Sequence, residues 1–193
     1  MLRKGSHNGQ EFFGTQHRFE HWYRDNTIYF ITARCRRQTP AFSSEACKAI
    51  FWDRFTHYAA QFGFTLILTS LLDNHYHFLG HLRVGNNLGP FMQKFHGSVA
   101  KLVNDQLPER LKPFWTDSGH QNYFDGCIRD ALQFRRAYRY TLTQCRRHGI
   151  CYDPADYPHT RVNVELERAL DRALQIRAFL ENVPYKRYQR PRP

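Results

Sequence analysis

Two short runs rich in β-branched and aromatic residues, Phe64–Leu72 (FTLILTSLL) and His75–Leu82 (HYHFLGHL), are separated only by Asp73 and Asn74. Strand-forming runs this close leave no room for a crossover, so they pair back as an antiparallel hairpin, and Asp-Asn is suitable turn chemistry. A lone hairpin is marginal in water and needs partners. The flanks offer them. Thr27–Cys35 (TIYFITARC) reads as a further strand. Between it and the hairpin, Ser43-Ser44-Glu45 supplies capping residues, apolar side chains recur at Ile50, Phe51, Phe55, Tyr58 and Ala59, and Gly63 ends the helix.

After the hairpin, Gly85–Pro90 predicts a loop and Phe91–Leu107 an amphipathic helix with Phe91, Phe95, Val99, Leu102 and Val103 on one side. Pro108–Gly126, punctuated by Pro and Gly, predicts a loop and a short strand. Arg129–His148 predicts one long basic helix stopped at Gly149. A proline-bearing loop over Asp153–His159 and a last helix over Val164–Glu181 follow. The order β-α-β-β-α-β-α-α predicts an α+β fold whose first six elements form a ferredoxin-like antiparallel sheet with helices packed on it. The second face of the sheet is left free or covered by the later helices. The expected division is a leader over 1–25 with an amphipathic patch at His17–Tyr23, a main domain over 26–160, a C-terminal helix over 161–183 and a basic, disordered tail over 184–193.

Charge narrows the partners. Lys plus Arg is 28 and Asp plus Glu is 17, a net +11 among 193 residues. Such a surplus calls for a polyanion, nucleic acid before an acidic membrane surface. No apolar run approaches the roughly 20 residues needed to span a bilayer, and MLRKGSHNGQEFF has no apolar core of a signal peptide, so the expected location is cytoplasmic with no membrane partner. The five cysteines, Cys35, Cys47, Cys127, Cys145 and Cys151, form no C-x-x-C pair and are expected to be reduced thiols, mostly buried.

His75 and His77 alternate on a strand, so both imidazoles project from one face, at a spacing that suits two ligands of one cation. His81 shares that face but lies about 13 Å further along, too far for the same ion. A bare His-x-His is equally compatible with two histidines on a half-buried sheet face. A metal held by two histidines needs a third protein ligand and open positions for substrate. The basic helix offers Tyr140 and Gln144, which are neighbours at i and i+4 on one face. Tyr138, with Leu142 four residues on, reads as a core residue. Taken alone, tyrosine among arginines on a helix also fits an ordinary solvated basic face.

Together these segments resemble a known family. LLDNHYHFLG is similar to the His-hydrophobic-His (HUH) signature of single-tyrosine transposases. YTLTQCRRHGI followed by DPADYP resembles the tyrosine-helix block of the REP-associated tyrosine transposases, as do the ITARCRRQTPAF strand end and the FMQKFHGSVAKLVN helix. The likeness runs from about Thr27 to Tyr157. It implies an HUH endonuclease fold, His75 and His77 as ligands of a divalent metal (Mg or Mn), Gln144 as the third ligand and Tyr140 as the nucleophile. Two positions depart from the pattern. Tyr76 stands where Val or Ile is usual, and Gln144-Cys145-Arg146 replaces an Asn-Pro-Val that bends the helix.

The implied activity is metal-dependent nicking and rejoining of single-stranded or hairpin DNA through a 5′-phosphotyrosine, by a monomer or homodimer close to the bacterial nucleoid. The alternative is a domesticated, sequence- or hairpin-specific DNA-binding protein with weak or no nicking. Arg34, Arg36, Arg37, Lys94, Lys101, Arg135, Arg136, Arg139, Arg146 and Arg147 are the candidate backbone contacts, and exposed aromatics are candidates for stacking on unpaired bases.

Overall fold

The structure, a computed structural model, describes residues 4–7, 10–13, 23–115 and 122–180, with side chains over 23–115 and 122–175. The central hairpin forms as its sequence requires. Strand β4 (Phe64–Leu71) pairs antiparallel with β5 (His75–Leu82), Leu71 opposite Tyr76, and a bulge between Leu66 and Leu68 shifts the register once. Strand β3 (Thr27–Arg34) pairs with the other side of β5, setting Arg34 opposite His75 and Thr32 opposite His77. Helix α1 (Glu45–Phe62) joins β3 to β4. The Ser44 side chain accepts from the Cys47 amide at its start, and Gly63 closes it at φ 71°, where a Cβ would be strained.

Helix α2 (Leu88–Asn104) leads to the edge strand β6 (Phe124–Cys127), which pairs with β3. The four strands β6-β3-β5-β4 have the order of a ferredoxin-like sheet, and β7 (Thr160–Val162) extends it beside β4, all pairs antiparallel. Period-2 alternation then sorts the side chains into two cores. On one face α1 and α2 bury an aromatic cluster including Phe51, Phe55, Tyr76, Phe78, Phe91 and Phe95. On the other, α3 (Ala131–Leu142) and α5 (Leu166–Leu180) cover Ile28, Leu68 and Leu79 with Phe134, Tyr138 and Leu170. The later helices therefore close the second face, and the architecture is the expected α+β sandwich.

Two expectations need correction, the single basic helix and the reduced state of all five cysteines. The basic segment is not one helix. It breaks at Thr143 (φ −92°, ψ 10°), whose hydroxyl donates to the Arg139 carbonyl at 2.9 Å, and resumes as the one-turn α4 (Gln144–Arg147). A helical-period reading cannot register a break of one residue. Around residue 160 the chain forms β7. That edge strand is too short to show a period, and long-range bonds fix it: Tyr157 Oη donates to the Leu71 carbonyl at 2.8 Å, and the Leu71 amide to the His159 carbonyl at 3.0 Å. Within residues 1–25 an antiparallel hairpin joins β1 (Lys4–His7) and β2 (Gln10–Phe13). The second correction is that Cys145 and Cys151 form a disulfide, their Cα atoms 5.5 Å apart, because the turn through Gly149 (φ 68°) folds the chain back on α4. Cys35 and Cys47 are buried free thiols and Cys127 is half-buried. Most of the His17–Tyr23 patch and the whole 184–193 tail lie outside the described residues; Tyr23 is buried. Among the described residues no helix is long and apolar enough to cross a membrane.

Candidate active site

His75 and His77 leave β5 on the face that α3 and α4 cover, while Tyr76 between them points into the opposite core, where its hydroxyl bonds to His96 Nε2 at 2.6 Å. The two ring centroids lie 5.0 Å apart, and the residues are only 3% and 5% exposed. Burial, with smaller contributions from His148 and Arg34, drives His75 down to about 4, and burial, with His75, Arg34, His148 and Arg147 adding to it, drives His77 to about 3. Both imidazoles are therefore neutral at physiological pH, the form in which histidine binds metal.

The partners of these rings define their free atoms. His75 Nδ1 lies 2.5 Å from Asn74 Oδ1, and the Asn74 amide nitrogen donates to the Gln38 carbonyl at 3.1 Å, which fixes the oxygen toward the ring. A neutral His75 must then donate from Nδ1, so Nε2 keeps its lone pair, the arrangement that an outer partner gives to metal-binding histidines. His77 has neither ring nitrogen partnered, although both are buried. Such an orphaned pair costs free energy that the fold has not recovered within itself.

Gln144, at the first position of α4, is 1% exposed. Its Nε2 donates to the Tyr140 carbonyl at 2.8 Å, and it is also within hydrogen-bonding reach of His75. With that nitrogen engaged, the amide presents its oxygen. Tyr140 stands on the last turn of α3, 39% exposed, its ring edge-on to His77 at 5.1 Å. The structure thus brings together His75, His77, Tyr140 and Gln144. It puts Tyr138 elsewhere: that residue is buried in the second core and its hydroxyl donates to the Val164 carbonyl at 3.0 Å. His81 is removed from the site and bonds to Asn26 at 2.9 Å. Among the described residues no group of three or more His, Cys, Asp or Glu is arranged to hold a metal. A cation here needs the Gln144 amide, and the donor set of two lone-pair imidazoles and an amide oxygen fits one.

The basic candidates separate. Arg34 acts electrostatically on both histidines, and Arg147 sits over the Tyr140 ring at 5.0 Å. Arg146 lies over Tyr152 at 5.3 Å, and Arg136 and Arg139 are exposed on α3. Arg135 is engaged within the fold by Glu167 of α5 at 2.7 Å. Arg36 donates to the Lys112 carbonyl, beside Arg37 in the turn after β3. Lys94 and Lys101 are exposed on α2, the layer on the far side of the sheet from the histidine pair. Two neighbours went unread in the sequence. His148, just after α4, has its ring 4.9 Å from that of His75, and Phe30 reaches His77 only through strand pairing. The alternation of Phe30 with Ile28 in β3 is the one sequence signal for the latter.

This arrangement matches known proteins. A family model described as "Transposase IS200 like" matches residues 24–140, ending on Tyr140. A structure of a REP-associated tyrosine transposase bound to a REP hairpin superposes with a TM-score of 0.63 at 15% identity, covering 79% of this chain and 86% of that one. A crystal structure from Deinococcus radiodurans R1, described as a candidate transposase, covers 66% of this chain and 97% of its own at 13% identity and a TM-score of 0.45. No curated protein matches the chain. The family match spans more than half of the sequence, and the chain belongs to the IS200-like transposases, enzymes of DNA strand transfer.

Proposed function

We propose that this transposase nicks and rejoins single-stranded DNA flanking a hairpin, through a 5′-phosphotyrosine on Tyr140. The observation that carries this reading is the placement of a partly exposed tyrosine ring 5.1 Å from a buried imidazole with no hydrogen-bond partner. The phenol oxygen attacks the phosphorus as the P–O3′ bond breaks, and the departing 3′ oxygen takes up a proton. The phosphotyrosine conserves the bond energy, so attack by a 3′ hydroxyl restores the strand and frees the tyrosine. His75, His77 and Gln144 would hold a divalent ion, Mg or Mn, which when bound supplies polarisation of the phosphate and neutralises charge on the leaving oxygen. Arg147, over the Tyr140 ring, lies where the negative charge of the attacking and phosphoryl oxygens gathers. Hairpin DNA as the partner draws support from the REP hairpin bound by the structural relative.

The test incubates the full chain with labelled hairpin oligonucleotides carrying randomised single-stranded flanks, with Mg or Mn, and looks for a covalent adduct. The adduct is expected in wild type and in Tyr138→Phe and absent in Tyr140→Phe. Hairpin binding without an adduct under either metal would leave the domesticated DNA-binding protein as the reading.

A further inference from the structure

The face that carries the histidine pair continues sideways as aromatic surface. Phe30, half-buried on β3, stacks with His77 at 5.9 Å and an interplanar angle of 4°, and meets Tyr140 edge-on at 6.0 Å. Beyond it Phe124, on edge strand β6, contacts Phe30 at 6.4 Å and is 42% exposed. Phe30 lies directly opposite Gly126 in the β3–β6 register. A Cβ at Gly126 would come within 3.5 Å of the Phe124 ring, so the tip of this ring reaches over a residue with no side chain. The result is a ledge running from the edge of the sheet to Tyr140. Arg34 on β3 and Arg147 on α4 put positive charge around it.

We infer that the exposed Phe124 ring, held edge-on against Phe30 at an interplanar angle of 64°, is a stacking platform for the unpaired base next to the phosphate that Tyr140 attacks. This rests on Tyr140 as the nucleophile. The occupant is a nucleobase because a π-face beside cations matches both parts of a single strand, its flat base and its anionic backbone. An ordinary apolar contact would not need the surrounding charge. The platform holds the strand in register, so that the phosphate meets Tyr140 and the histidine pair rather than sliding past them. Stacking discriminates weakly among bases, so the platform supplies position rather than sequence choice.

The test scans 2-aminopurine through the flank of the hairpin oligonucleotide, bound to Tyr140→Phe protein so that nothing turns over. Quenching is expected at one position, lost in Phe124→Ala and kept in Phe124→Trp. Phe124→Ala should weaken binding about tenfold. An abasic nucleotide at the quenched position should cause the same loss, with little added by the variant. Phe124 lies at an exposed sheet edge, so folding is expected to survive, and circular dichroism checks it. Unchanged quenching at every position in folded Phe124→Ala would overturn the platform and leave Phe124 as a cover for Gly126. The adduct assay on wild type reports separately: an adduct with unchanged quenching refutes the platform alone, whereas no adduct refutes the nucleophile whatever the quenching shows.

Discussion

With both ring nitrogens buried and unpartnered, His77 carries a desolvation cost of about 1–3 kcal/mol that a purely structural residue would not need. Replacing it with an apolar side chain of similar size removes that cost. His77→Leu is therefore expected to raise stability by about 1 kcal/mol in urea titrations while nicking falls at least about 100-fold and hairpin affinity stays within about threefold. A clear drop in stability would mean that His77 holds the fold rather than the reaction. His96 behaves differently. It is buried in the aromatic core against Trp115, with ring centroids 4.1 Å apart, and burial lowers it to about 3. An unfolded histidine takes a proton near pH 6.5, and the folded one does not until about pH 3. The stability that His96 contributes is therefore whole above pH 6.5 and drains as pH falls through that window, by about 1.4 kcal/mol per pH unit. Stability of His96→Gln measured from pH 7 to pH 5 should fall less steeply than wild type by that slope.

At the scale of elements, the short α4 after Thr143 adds its own groups to the candidate site. The turn at Thr143 lets Gln144 bond back to Tyr140 while α4 carries Arg147 and His148 to the tyrosine and His75. Polar capping, with no proline, positions the start of α3: Asp130 accepts from the Gln133 amide at 2.7 Å, and Gln133 Oε1 accepts from the Arg129 amide at 2.8 Å. Asp130→Ala should cost about 1 kcal/mol in denaturant unfolding. It should also loosen Tyr140, seen as a fall in kcat larger than any change in KM. Restoration of both by Asp130→Ser or Asp130→Asn would confirm capping as the cause.

Across the whole molecule, the net charge of +11 is not spread evenly over function. Arg34, Arg136, Arg139, Arg146 and Arg147 lie on β3, α3 and α4, the elements that build the histidine-tyrosine site, whereas Lys94 and Lys101 ride on the opposite layer. About five phosphate contacts predict a slope near −3.5 for log affinity against log salt with a single strand, or about a 100-fold loss between 50 and 200 mM. Arg146→Gln with Arg147→Gln should flatten the slope by about 1.4. Lys94→Gln with Lys101→Gln should leave it nearly unchanged. Equal effects would mean that the strand follows a path on both faces of the sheet.

Period and punctuation carried much of this protein. The β-branched and aromatic runs FTLILTSL and HYHFLGHL, the Ser44 cap and Gly63 set strands and helices within a few residues, and the i, i+4 spacing singled out Tyr140 and Gln144 over Tyr138. These signals are local, arising from backbone geometry and near-neighbour burial, so a linear sequence displays them. Tertiary packing alone decided the rest. The edge strand β7, the Cys145–Cys151 closure, the approach of Phe30 and His148 to the histidines and the dispersal of the basic residues over two layers all depend on contacts between distant segments. For the histidine pair the sequence determined that two imidazoles share a face. Only the fold buried both rings, left both nitrogens of His77 without a partner and set Tyr140 beside them.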